Sequence, residues 1–165
     1  MIRVIVILTL ASLAACDYDP APPAGDLPFF AYSIDAEFEH RLFDAVDIIN
    51  RAAGCELTGV MPDEPYVQPV LVVPDDYFDN PFTLARAKVT SAFGHTERKH
   101  PIRIEHRGVD RDTAAITLAH EIGHTLGLKH ADDGVMASFL GRASDEFNQY
   151  DAEYLSGLCV FLPIM

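Results

Sequence analysis

Apolar residues fall three and four apart from Phe38 through Leu42 and Val46 to Ile49, with Phe43 beside them, and this spacing predicts an amphipathic helix. Asp35 stands where an N-cap would, and Gly54 where such a helix would stop. Ahead of it, "FFAYSI" (29–34) predicts a short strand. Behind it, "VLVV" (70–73), bounded by Pro69 and Pro74, reads as a buried strand. "ARAKVTSAF" (85–93) alternates only in part and is taken as one further strand. In "PIRIEHR" (101–107), Ile102 and Ile104 alternate with Arg103 and Glu105, which predicts a strand with a polar face at a sheet edge. A longer helix is expected from Asp112, whose carboxylate can cap it, with Ala115, Leu118, Ile122 and Leu126 toward the core. A last helix, about 144–158, has Ser144 as its cap and Phe147, Tyr154, Leu155 and Leu158 as its inner face. This order predicts an α+β domain in which an early, a central and a C-terminal helix pack on one face of a mixed, twisted sheet.

The first 28 residues do not fit that domain. Arg3 precedes the apolar run "VIVILTLASLAA" (4–15), which is short for a bilayer span and suits the core of an export signal. The run ends in Leu13-Ala14-Ala15-Cys16, which resembles a bacterial lipobox. The alternatives are an ordinary cleaved signal and an uncleaved anchor. The lipobox reading makes 1–15 a signal peptide and Cys16 a lipidated N-terminus. It puts the protein at a bacterial cell envelope, facing the periplasm or the exterior. "DYDPAPPAGDLP" (17–28) is then a proline-rich tether, and 29–165 the single folded domain.

Composition narrows the function classes. The chain has 165 residues, 49% of them hydrophobic, and a formal charge of −13. That balance disfavours nucleic acid and electrostatic docking to anionic lipid. The membrane would be met through the N-terminal lipid alone, and a monomer is expected. With Cys16 assigned to lipid, Cys55 and Cys159 remain in an oxidising compartment, as a disulfide or as two buried thiols.

The densest chemistry lies in "HEIGHTLGLKH" (120–130), which holds three of the seven histidines. His120 and His124 are four apart, so on a helix their rings point the same way and can share one metal ion. Glu121 sits about a hundred degrees round the helix, near the ion without ligating it. Gly127 tolerates the positive φ that ends a helix, which lets the chain return His130 as a third ligand. Three neutral imidazoles leave a tetrahedral zinc one position for water, the pattern of catalytic rather than structural sites.

His120, Glu121, His124, Gly127 and His130 together match HExxHxxGxxH, and the chain here resembles the metzincin zinc endopeptidases, most closely the matrixins. "DDGVMAS" follows, and the resemblance implies that Met136 lies in the methionine turn beneath the metal. It also implies a metzincin-like domain with one catalytic zinc, Glu121 as general base, and a peptide or protein substrate. Astacin-like relatives tie the early helix region to the C-terminus, which favours pairing Cys55 with Cys159. The likeness spans about 101–160. No proline follows Met136 closely, no tyrosine lies in the turn, and no calcium loop is recognisable.

Substrate would lie along an edge strand, for which "PIRIEHR" is the candidate. His95, His100 and His106 are read as surface histidines rather than a second metal site. "DDYFD" (75–79) lacks the ligand density and glycine of a calcium loop. Asp132 and Asp133 either stabilise the turn or contact a ligating imidazole. Two other functions stay open: a catalytically inactive zinc-binding lipoprotein, and a zinc hydrolase acting on a non-peptide amide.

Overall fold

The computed structural model describes residues 30–62, 67–75, 77–79, 83–87, 90–92, 95–97, 101–105, 110–138 and 143–160. The signal, Cys16, the tether, His100 and His106 lie outside them, as do the side chains of His95 and its neighbours. Strand β1 (Phe30–Ser33) leads through a 3-10 turn (Ala36–Phe38) into helix α1 (Glu39–Ala53). Then come β2 (Thr58–Val60), β3 (Gln68–Val73), β4 (Ala85–Arg86), β5 (Thr90–Ala92), β6 (His95–Glu97), β7 (Ile102–Glu105), α2 (Arg111–Thr125) and α3 (Gln149–Cys159). A mixed α+β domain results. Its main sheet runs β2-β1-β3-β7-β4, parallel throughout except for β4, while β5 and β6 pair antiparallel as a separate ribbon.

Helix α1 forms where the periodicity places it. Leu42, Ala45, Val46, Ile48 and Ile49 are buried, whereas Phe43 is exposed. Gly54 ends the helix in the left-handed region, φ 74°, and donates to the Asn50 carbonyl. Asp35 flanks only the 3-10 turn and makes no side-chain cap, so α1 begins after Phe38. The Asn50 amide then fixes β2: its nitrogen donates to the Thr58 carbonyl at 2.9 Å and its oxygen accepts from the Thr58 N–H at 2.8 Å. A three-residue strand has no periodicity of its own, which is why β2 was not foreseen.

Several boundaries differ from the expectation. Asp110, not Asp112, caps α2, accepting from the Thr113 N–H at 2.9 Å. Asn148, not Ser144, caps α3, accepting from the Asp151 N–H at 3.0 Å, while Ser144 bonds Glu146 within the preceding loop. The stretch 85–93 is two separate strands, β4 and β5. The largest correction concerns β7. It is not an edge strand, because it pairs with β3 on one side and β4 on the other. Glu105 is 1% exposed, and its carboxylate accepts from the Phe78 N–H at 3.0 Å. The edge on this side of the sheet is β4, with β2 at the opposite edge, and among the described residues no strand pairs with the other side of β4.

The core lies between the sheet and α1 and α2, where Leu42, Ile49, Ile102, Ile104, Leu118 and Ile122 are all but inaccessible. Arg111 at the start of α2 forms a two-armed ion pair with Asp44 of α1. At the far end, the Tyr32 and Thr125 hydroxyls are 2.7 Å apart; Thr125 donates to the Ile122 carbonyl, so Tyr32 donates to Thr125 and ties α2 to β1. Leu155 is the buried anchor of α3, while Phe147 and Leu158 are half-buried and Tyr154 is largely outside. Cys55 and Cys159 form a disulfide that joins the C-terminal ends of α1 and α3, with Cα atoms 6.3 Å apart. Among the described residues no helix is long and apolar enough to cross a membrane.

Candidate metal centre

Helix α2 is held on its apolar side by Ala115, Leu118, Ile122 and Leu126, all buried. That leaves His120 and His124 on the opposite side, one turn apart. Their Nε2 atoms approach to 3.1 Å. His130 completes the group, and one ligand atom from each of the three rings lies within 4.8 Å of the others. Two like donors that close gain most from a cation between them.

Each ring on the helix is aimed by a backbone carbonyl. His120 Nδ1 donates to the Val135 carbonyl at 2.8 Å, and His124 Nδ1 donates to the Leu128 carbonyl at 3.0 Å. With the proton committed to Nδ1, Nε2 carries the lone pair that a metal needs. Those carbonyls fill the place considered for Asp132 and Asp133, which are exposed in the turn. Burial pushes the His120 pKa down to about 4, against the pull of the Val135 carbonyl; burial and His124 also lower that of His130. Both shifts favour the neutral imidazole that a divalent cation needs, so the donor set fits one metal ion.

Two glycine turns bring the remaining pieces in. Gly127 has φ 103° and reverses the chain after α2, with Leu128 N–H donating back to the Gly123 carbonyl at 2.9 Å. Gly134 has φ 75° and opens the turn carrying Val135 and Met136, which closes with Ala131 N–H on the Met136 carbonyl at 2.8 Å. Met136 is fully buried against α2; a Cβ on Gly123 would lie 2.6 Å from its sulfur. Gly127 and Met136 belong to the histidine motif and its turn, whereas Gly134 lies outside the motif and is marked only by "DDG", a turn signal.

Glu121 is 8% exposed, and its carboxylate accepts from the Ala87 N–H just after β4. Burial pushes its pKa up to about 7, against the opposing effects of the Ala87 N–H and Arg86. A carboxylate near pH 7 can both accept and return a proton. A cavity of about 240 Å³ opens beside it. Its lining includes Leu84 and Ala85 from the β4 side, Ile116 and Thr117 of α2, and His120, Glu121 and His130 themselves. Three imidazoles, a buried carboxylate, a cavity and a sheet edge thus converge, which is the constellation needed for metal-assisted hydrolysis. No protein-family profile and no curated protein matches the chain.

Proposed function

We propose that the protein is a zinc-dependent endopeptidase of the metzincin type, matrixin-like, tethered to a bacterial envelope through lipid on Cys16. The observation that carries the reading is the convergence of His120, His124 and His130 beside buried Glu121, next to an open sheet edge. His120, His124 and His130 would hold the ion. Zinc bound there supplies Lewis acidity, lowering the pKa of water and polarising a carbonyl.

The chain's own residues account for the rest. A peptide added along β4 would pair with the outward-facing backbone at Ala85, while the Ala87 N–H is held by Glu121, so β4 takes the role expected of "PIRIEHR". A side chain next to the scissile bond would enter the 240 Å³ cavity. Glu121 takes a proton from the attacking water as the new C–O bond forms. It then delivers that proton to the amine as the C–N bond breaks. The buried setting that raises the Glu121 pKa matches both halves of this cycle.

A structural zinc site has no need of such a carboxylate, and the edge strand favours a peptide over another amide. The test is Glu121→Ala: zinc content should equal that of the wild type while peptide hydrolysis is lost. A variant that cleaves a validated peptide at the wild-type rate overturns the assignment.

A further inference from the structure

The turn that ends α2 sets the direction of two of the three histidines. The Leu128 carbonyl takes the His124 Nδ1 proton, and His130 follows two residues later. Both therefore depend on the peptide planes between Leu126 and Leu128. Part of that turn is held from within, by Gly127 N–H on the His124 carbonyl at 3.1 Å and Leu128 N–H on the Gly123 carbonyl.

The Leu126 carbonyl is among the acceptors a helix leaves without an internal partner at its C-terminal end. It is taken from outside the helix. The Tyr154 hydroxyl, from α3, donates to it at 3.1 Å across 28 positions of sequence. The same hydroxyl abuts Gly127, where a Cβ would lie 2.8 Å from it. Core packing does not explain this placement. Tyr154 is 45% exposed, whereas the adjacent Leu155 is wholly buried and does the anchoring of α3. Tyr150, one turn earlier, is 83% exposed.

We infer that Tyr154 is a positioning residue for the metal ligands: its hydroxyl fixes the Leu126–Leu128 turn, and through that turn the directions of His124 and His130. The inference rests on reading the triad as a zinc site. Tyr154 does not line the cavity and its hydroxyl bonds the Leu126 carbonyl, so its effect reaches the ion through the backbone. Removing the hydroxyl leaves the ring in place and gives the Leu126 carbonyl to water. The turn then samples a wider range, and the three nitrogens meet at one point less often.

The experiment compares wild type, Tyr154→Phe and Tyr150→Phe in three measurements. These are the Zn²⁺ dissociation constant by competition with a chromogenic chelator, the visible spectrum after Co²⁺ substitution, and the thermal midpoint of the metal-free protein. For Tyr154→Phe we expect a dissociation constant raised about ten- to a hundredfold, altered Co²⁺ bands and a metal-free midpoint near that of the wild type. Tyr150→Phe should match the wild type in all three. Zinc affinity unchanged in Tyr154→Phe overturns the inference. So does weaker binding that merely tracks an equal loss of metal-free stability, which is what a general structural role would give. A wild-type chain that takes up no zinc overturns the zinc site itself and the inference with it. The two failures are thus told apart by the wild-type titration.

Discussion

Replacing Glu121 by Gln in the metal-free protein should stabilise the fold at alkaline pH while leaving it nearly unchanged in acid. The carboxyl is 8% exposed and its pKa rises from 4.5 to about 7, chiefly because burial penalises the charge. A difference of about 2.5 units corresponds to about 3 kcal/mol. The folded pKa is the higher one, so between pH 4.5 and 7 the folded state binds more protons than the unfolded state. Stability is complete below pH 4.5 and falls as pH rises through 7. Gln keeps an oxygen for the Ala87 N–H but never ionises. Any cost of burying its amide is independent of pH and cancels when two pH values are compared. The gap between variant and wild type should widen by about 3 kcal/mol from pH 4.5 to pH 8, or roughly 6–12 °C in thermal midpoint. His120 works in the opposite sense, its pKa lowered to about 4, so that it favours the folded state more as pH rises from 4 to 6.5; it is present in both proteins and drops out. The assay is urea unfolding followed by far-ultraviolet circular dichroism in excess EDTA at both pH values. A gap of equal size at pH 4.5 and pH 8 would refute the claim that Glu121 is a buried, energetically costly charge.

Three other outcomes are expected. Replacing both Cys55 and Cys159 with Ser removes a bridge across 104 positions and should cost about 4–5 kcal/mol in the chain-entropy account, read from the denaturation midpoint. Gly134→Ala places a Cβ 2.9 Å from the Glu146 carbonyl and the Asn148 nitrogen at φ 75°, so it should lose at least about 1–3 kcal/mol and weaken zinc binding in a chelator competition. Asp110→Ala should lower the thermal midpoint and Asp112→Ala should leave it near the wild type, a contrast that tests which carboxylate caps α2.

What the sequence disclosed was what repeats or what is locally punctuated. Leu42, Val46 and Ile49 announced α1, Gly54 its end, and the four-residue step from His120 to His124 the shared direction of two rings. What it concealed depended on partners distant in the chain. Asp110 and Asp112 are equally good caps by composition, and only the bond to Thr113 distinguishes them. Glu105 looked like a solvent-facing residue of an edge strand, yet β4 pairs along that edge, and the carboxylate is buried and serves the Phe78 amide. A two-residue edge such as β4 is too short for any alternation to declare it. Within the site, the side chains were legible, whereas the carbonyls of Leu128 and Val135 that aim two of them were not, because every residue has a carbonyl.

The turn at Gly134 bears on when the site can exist at all. Val135 N–H donates to the Glu146 carbonyl at 3.0 Å, Gly134 is packed against Asn148, and the Val135 carbonyl in turn aims His120. All three histidines are synthesised before Val135, which aims His120, and before Glu146 and Asn148, which hold its turn, and the bridge from Cys55 waits for Cys159 near the end of the chain. A chain still emerging from the ribosome therefore carries the full ligand motif without all of its geometry. The order in which the chain is made thus delays the meeting of the three imidazoles until the C-terminal part of the domain is in place.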